Sequence, residues 1–102
     1  MLELRPVCEH CHLTLPPDSL EAMICSFECT FCRICAKELL GDICPNCGGG
    51  FSPRPIRPAK NWKGSNCLSQ YPASTIKKHR PVHLDSHKDL VTRIGSLPPD
   101  MR

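Results

Sequence analysis

A small metal-stabilised α+β fold with one short helix and an extended C-terminal arm is what this sequence predicts, on three observations. Nine of the 102 residues are cysteine, a density found in disulfide scaffolds and small metal-binding domains. Eight of the nine fall before residue 48, and the chain then breaks into "GGGFSPRPIRP". Aromatics are scarce, with three Phe, one Trp and one Tyr. So short a chain buries too little apolar surface to hold itself together, and a covalent or metal staple is expected.

Taken in order, "LPPDS" at residues 15–19 reads as a turn, and "EAMICSF" contains a short strand with Met23 and Cys25 on one face. "RICAKELLG" is the best helical segment, because Ala, Lys, Glu and Leu favour helix and Gly41 supplies the stop. Leu39 and Leu40 are expected to pack over the cysteine cluster. Three glycines and then three prolines over residues 48–58 make a flexible joint followed by a stiff stretch. The expected organisation is a cysteine-rich domain at 1–48, a Gly/Pro-rich linker and basic arm at 49–80, and a tail at 81–102. Within the tail, "SHKDLVTRIG" predicts a short helix over 87–94, capped by Ser86, with Asp89 three residues on and Gly95 as its stop.

Charge is distributed unevenly. Residues 1–50 carry three basic groups against seven acids, and residues 51–102 carry ten against three, so the halves stand at −4 and +7. Eight thiolates holding two divalent ions would take the first half to about −8. The N-terminus shows no basic region followed by an apolar stretch, and no apolar run approaches the ~20 residues that span a bilayer. The expectation is a cytoplasmic protein with no membrane partner, its cysteines kept reduced. An odd number of cysteines also fits complete internal disulfide pairing poorly.

The eight N-terminal cysteines fall as Cys8-x2-Cys11, x13, Cys25-x3-Cys29-x2-Cys32-x2-Cys35, x8, Cys44-x2-Cys47. Zinc takes four ligands in tetrahedral directions, with Zn–S near ~2.3 Å. A C-x2-C pair in a tight turn donates two of them from adjacent backbone, so eight thiols arranged as pairs supply two sites with none left over. Two structural Zn²⁺ ions are therefore expected on Cys8, Cys11, Cys25, Cys29, Cys32, Cys35, Cys44 and Cys47. Spacing alone leaves the pairing open. A sequential arrangement would place the first four on one ion and the last four on the other, the second half resembling a zinc ribbon. Ferredoxin-type clusters use C-x2-C-x2-C-x3-C-P; Cys29, Cys32 and Cys35 fit, but the Cys-Pro arrives eight residues on. A redox C-x-x-C pair belongs at a helix start in a larger βαβ fold, which about fifty residues cannot build. No catalytic residue is expected, and the protein is not expected to be an enzyme.

"FECTFCRICAKELLGDICPNC" resembles the second half of a RING finger, where a cysteine and a histidine precede an aromatic, a C-x2-C opening a helix, and a closing C-P-x-C. Here Cys29 takes the histidine place and Phe31 the aromatic place. Cys32 and Cys35 are the helix-entry pair, and Cys44-Pro45-Asn46-Cys47 the closing pair. The resemblance implies a two-zinc RING-like or treble-clef fold whose sites interleave as a cross-brace. Cys8, Cys11, Cys32 and Cys35 would hold one ion, and Cys25, Cys29, Cys44 and Cys47 the other. It also implies a ubiquitin-ligase-like surface using Pro45 and Leu39 or Leu40. This chain departs from that pattern: Glu9 and His10 fill the first knuckle where ligases place an aliphatic residue, the helix is short, and Gly48 replaces an arginine after the last cysteine. With "LELRP", "LPPDS", "CTFC", "CPNCGG" and "YPAS", residues 1–80 further resemble a small bacterial family of cysteine-rich proteins of unknown function.

Outside the cysteine cluster, Cys67 is expected to be a free surface thiol. His79, His83 and His87 recur at a spacing of four, but Pro81 interrupts any common helical face, so they read as exposed tail residues. His10 and His12 flank Cys11 and are expected to support it or face solvent. Arg54, Arg57, Lys60, Lys63, Lys77, Lys78 and Arg80, interleaved with Trp62 and Tyr71, form an acid-free stretch suited to phosphates and stacked bases. The same stretch is suited to docking back on the acidic half. The leading expectation is a non-enzymatic adaptor that presents a zinc-braced surface to a protein partner. Nucleic-acid binding through the arm is the alternative.

Overall fold

In the computed structural model all 102 residues are described. A three-stranded antiparallel sheet of order β2-β1-β3 forms the centre. Strand β1 (Ala22–Ile24) turns back into β2 (Thr30–Cys32), bringing Met23 opposite Phe31. The turn closes because the Cys25 N–H donates to the Cys29 carbonyl and Glu28 takes a left-handed φ of 67°. Strand β3 (Ser52–Pro53) lies on the outer side of β1. An edge is where a strand proline fits, since it has no N–H for a further neighbour.

The core beside this sheet contains Leu15, Ala22, Met23, Phe31, Ala36 and Leu40, together with six cysteines. Phe51 meets Phe31 edge to face, with ring centroids 5.5 Å apart, a contact that contributes about 1 kcal/mol beyond its area. Half of the twelve-residue cluster is thiol. That is too little hydrocarbon to fold fifty residues unaided.

The "RICAKELLG" segment does form a helical turn, Cys35–Leu39, but a wide one. The Leu40 N–H reaches the Cys35 carbonyl at 2.9 Å, one residue beyond the α-helical partner. Gly41 ends it at φ 62°. Leu40 is fully buried, whereas Leu39 points outward and does not pack over the cysteines. The C-terminal helix α1 runs Leu84–Ile94, three residues longer at its start than 87–94. Its cap is His83, not Ser86: the His83 ring accepts the Ser86 N–H at 3.2 Å. The stop at Gly95 (φ 61°) is as expected.

The basic segment lies back along the N-terminal half. The Ser74 N–H donates to the Leu4 carbonyl, the Arg80 N–H to the Glu9 carbonyl, and Arg57 to the carbonyls of Leu2 and Tyr71. The opposite charges of the two halves favour that arrangement. No helix is long and apolar enough to cross a membrane.

Candidate metal centre

Three tight turns and the strand-to-helix junction at Cys32 and Cys35 carry the eight cysteines, and two of the turns are built alike. In the first, the Cys8 N–H donates to the Leu13 carbonyl and the Cys8 carbonyl accepts from His12, whose φ is 67°. In the last, the Cys44 N–H donates to the Gly49 carbonyl and the Cys44 carbonyl accepts from Gly48, whose φ is 78°. Each turn folds its C-x2-C so that both sulfurs leave on one side, with backbone N–H groups aimed at them. Cys11 N lies 3.5 Å from Cys8 Sγ, and Gly49 N lies 3.4 Å from Cys47 Sγ. Gly48 suits the left-handed φ at lower cost than the His12 of the first turn, and a β-carbon there would stand 3.4 Å from Ile94 Cδ1. Gly48→Ala is expected to cost about 1–2 kcal/mol, read from urea unfolding at fixed zinc.

The sulfurs meet in two groups. Those of Cys8, Cys11, Cys32 and Cys35 all lie within 4.8 Å of one another, as do those of Cys25, Cys44 and Cys47. The first turn thus meets the strand-to-helix pair across the sheet, and the closing pair meets the end of β1. This is the interleaved grouping, not the sequential one. Cys29 stands at the margin of the second group. Its sulfur lies beside those of Cys25 and Cys44 and accepts from Asn46 Nδ2 at 3.4 Å. Two cysteine groups that could hold metal ions are therefore present.

The donor set fits zinc. Cys11 Sγ and Cys32 Sγ are 3.7 Å apart, against about 3.8 Å for an edge of a tetrahedron with Zn–S near 2.3 Å. Burial, with neighbouring sulfurs adding to it, pushes the Cys35 and Cys44 thiols well above the ordinary range. Thiolates so close together and mostly buried repel one another unless a cation offsets their charge.

Other residues took places that the sequence did not indicate. Glu9, inside the first turn, is buried. Its carboxylate accepts from the Thr30 N–H at 2.6 Å and from Arg5 at 2.8 Å, tying that turn to β2. Glu9→Ala leaves the buried Thr30 N–H without its acceptor and Arg5 with Glu3 as its remaining carboxylate partner. An expected loss of about 3 kcal/mol follows, again read from urea unfolding at constant zinc. Arg54 is also buried, not part of an open basic surface: it donates to the carbonyls of Arg5, Leu15 and Pro16. Lys78 faces Glu3 at 3.4 Å, while Lys60, Trp62, Lys63, Lys77 and Arg80 remain exposed.

Cys67 is not a surface thiol. It is 1% exposed, with Ser69 Oγ 3.2 Å from its sulfur, and that hydroxyl holds the thiol below its usual range. In the zinc-loaded protein Cys67 should take no label during an alkylation that fully labels the chelated chain; peptide mapping reads this directly. Of the tail histidines, His79 and His83 are exposed as expected and only His87 departs from that reading. His87 is buried against the Leu40 carbonyl at 2.8 Å, His83 caps α1, and His79 reaches the His10 carbonyl while its ring meets that of His12. They share no metal-binding face. His10 accepts the Val82 N–H at 2.9 Å and so supports the first turn from outside.

Residues 1–57 match a family described as "Protein of unknown function (DUF1272)". The chain belongs to the DUF1272 family. An uncharacterized protein of Rhizobium meliloti (strain 1021) is 56% identical over 81 residues, spanning 79% of this chain and 89% of the relative. No solved structure matches the chain. The DUF1272 match takes in all eight clustered cysteines, Glu9 and Arg54, and stops before Cys67 and α1.

Proposed function

We infer that this protein is a non-enzymatic interaction module braced by two structural zinc ions, with a RING-like interleaving of the sites. The observation that carries it is the convergence of the Cys8, Cys11, Cys32 and Cys35 sulfurs within 4.8 Å of one another. Cys25, Cys44 and Cys47, with Cys29 beside them, supply the second set. Four thiolates fill a tetrahedral ion and leave no position for a water nucleophile or substrate, so the metal holds shape and performs no chemistry. What it would hold is a surface of turns on which a protein partner can seat.

Cobalt substitution tests this. Titrating Co²⁺ into metal-free chain should develop tetrahedral tetrathiolate absorption that saturates at two equivalents and disappears on adding zinc. Saturation at one equivalent, or octahedral cobalt, would refute the two-site reading.

A second reading, nucleic-acid binding, draws on Trp62, 75% exposed and set between exposed Lys60 and Lys63. Affinity for a single-stranded oligonucleotide should then fall steeply with salt and drop at least tenfold in Trp62→Ala. Salt-insensitive or absent binding removes that reading.

A further inference from the structure

Between the first turn and the closing pair, His10, the Leu40 carbonyl and Pro45 together make a surface groove for the chain's own C-terminal segment. The chain's own residues 79–94 lie in it. The His10 ring accepts the Val82 N–H at 2.9 Å, and His79 reaches the His10 carbonyl. The Arg80 N–H donates to the Glu9 carbonyl at 2.8 Å. Val82 packs on the thiol-rich core, and His87 sits on the Leu40 carbonyl at 2.8 Å. This is how a groove binds an extended peptide that continues into a helix: backbone hydrogen bonds first, then a stripe of anchors at helical spacing. On α1 that stripe is His87, Leu90, Val91 and Ile94, the helix's buried or half-buried positions.

Two features mark the occupant as replaceable. An open surface cleft of about 330 Å³ lies between the segment and Pro45–Asn46. His87 Nδ1 is buried with no hydrogen-bond partner. The cleft gives access to the edge of the contact, and a mutually optimised contact would pair the buried nitrogen. The charges also match, since Lys77, Lys78 and Arg80 lead into a groove on the acidic half of the chain.

We propose that this groove is a docking site for a basic, proline-containing extended segment that continues into an amphipathic helix, and that residues 77–102 occupy it in cis as a built-in competitor. The proposal deepens the interaction-module reading by naming the surface and the chemistry of its partner. A tethered occupant acts at an effective concentration on the order of mM, so a partner binds well only when the segment is released.

The test uses the full zinc-loaded chain with a specific protease site inserted between Ile76 and Lys77, both exposed. After cleavage, the 77–102 fragment should co-elute with the body at micromolar concentration and exchange with a labelled synthetic 77–102 peptide. The cut chain should bind that peptide at least tenfold more tightly than the uncut chain. Peptides carrying Val82→Asp with Leu90→Asp, or Lys77, Lys78 and Arg80 all changed to Glu, should compete at least tenfold less well. A fragment that leaves on its own, or variant peptides that compete equally, overturns the proposal. Zinc content of the same samples separates it from the metal reading. Fragment release with two zinc ions retained sinks only the groove; a bound fragment on metal-free chain upholds the groove and sinks the zinc reading.

Discussion

If the two cysteine groups hold zinc as proposed, a strong chelator is expected to unfold residues 1–54 in a single transition. The two cysteine groups interleave: Cys25 of one, with Cys29 at its margin, brackets a turn between strands, and Cys32 of the other ends β2. Neither group can come apart without releasing the sheet that orders the other. Apparent binding of about 10–16 kcal/mol per structural zinc exceeds what a core that is half thiol can supply. Amide chemical-shift dispersion and far-ultraviolet circular dichroism should collapse together over one range of chelator, and zinc should restore both. Dispersion that survives chelation, or two well-separated steps with one half still folded, would show the sites to be independent or unnecessary.

Replacing Arg54 by methionine costs about 3–5 kcal/mol. Arg54 is 4% exposed and its guanidinium donates to three carbonyls, those of Arg5, Leu15 and Pro16, on two segments that the Val7–Thr14 bridge also joins. Methionine fills the volume and leaves those acceptors facing a dry interior, where each unpaired group costs about 1–3 kcal/mol. Burial also lowers the pKa of Arg54, yet a guanidinium stays charged throughout the accessible pH range, so the loss should not depend on pH between 6 and about 8. Arg54→Lys keeps the charge but brings one nitrogen where a planar fork spans three acceptors, and should recover less than half of the loss. The readout is urea unfolding of each variant at constant free zinc. A change under about 1 kcal/mol in Arg54→Met would mean that the buried fork contributes nothing net.

The parts of this fold legible in the sequence are those with a strict spacing. C-x2-C pairs admit few backbone conformations, and the β1 strand, the helical turn, its Gly41 stop and the Gly95 stop all follow from local chemistry. What spacing could not resolve was which pairs share a group, because that depends on how the strands between them fold. The misread residues failed for one common reason. Arg54, Cys67 and His87 sit in a stretch whose composition is that of a solvated arm, and composition does not reveal that the arm returns to the acidic half. Once it does, Arg54 finds carbonyls, His87 finds the Leu40 carbonyl, and Cys67 is covered. Leu39 and Leu40 were indistinguishable by residue type; the wide helical turn decided which one faces inward. Glu9 carried a weak signal, an acid where a RING pattern has an aliphatic side chain, and its partner Arg5 lies four residues away.

Native mass spectrometry of protein purified without added metal tests the central claim most directly. The intact mass should exceed that of the chain by two zinc ions, with the sample colourless and no disulfide formed. A folded chain carrying no zinc or one, or a brown sample containing iron, would contradict the claim.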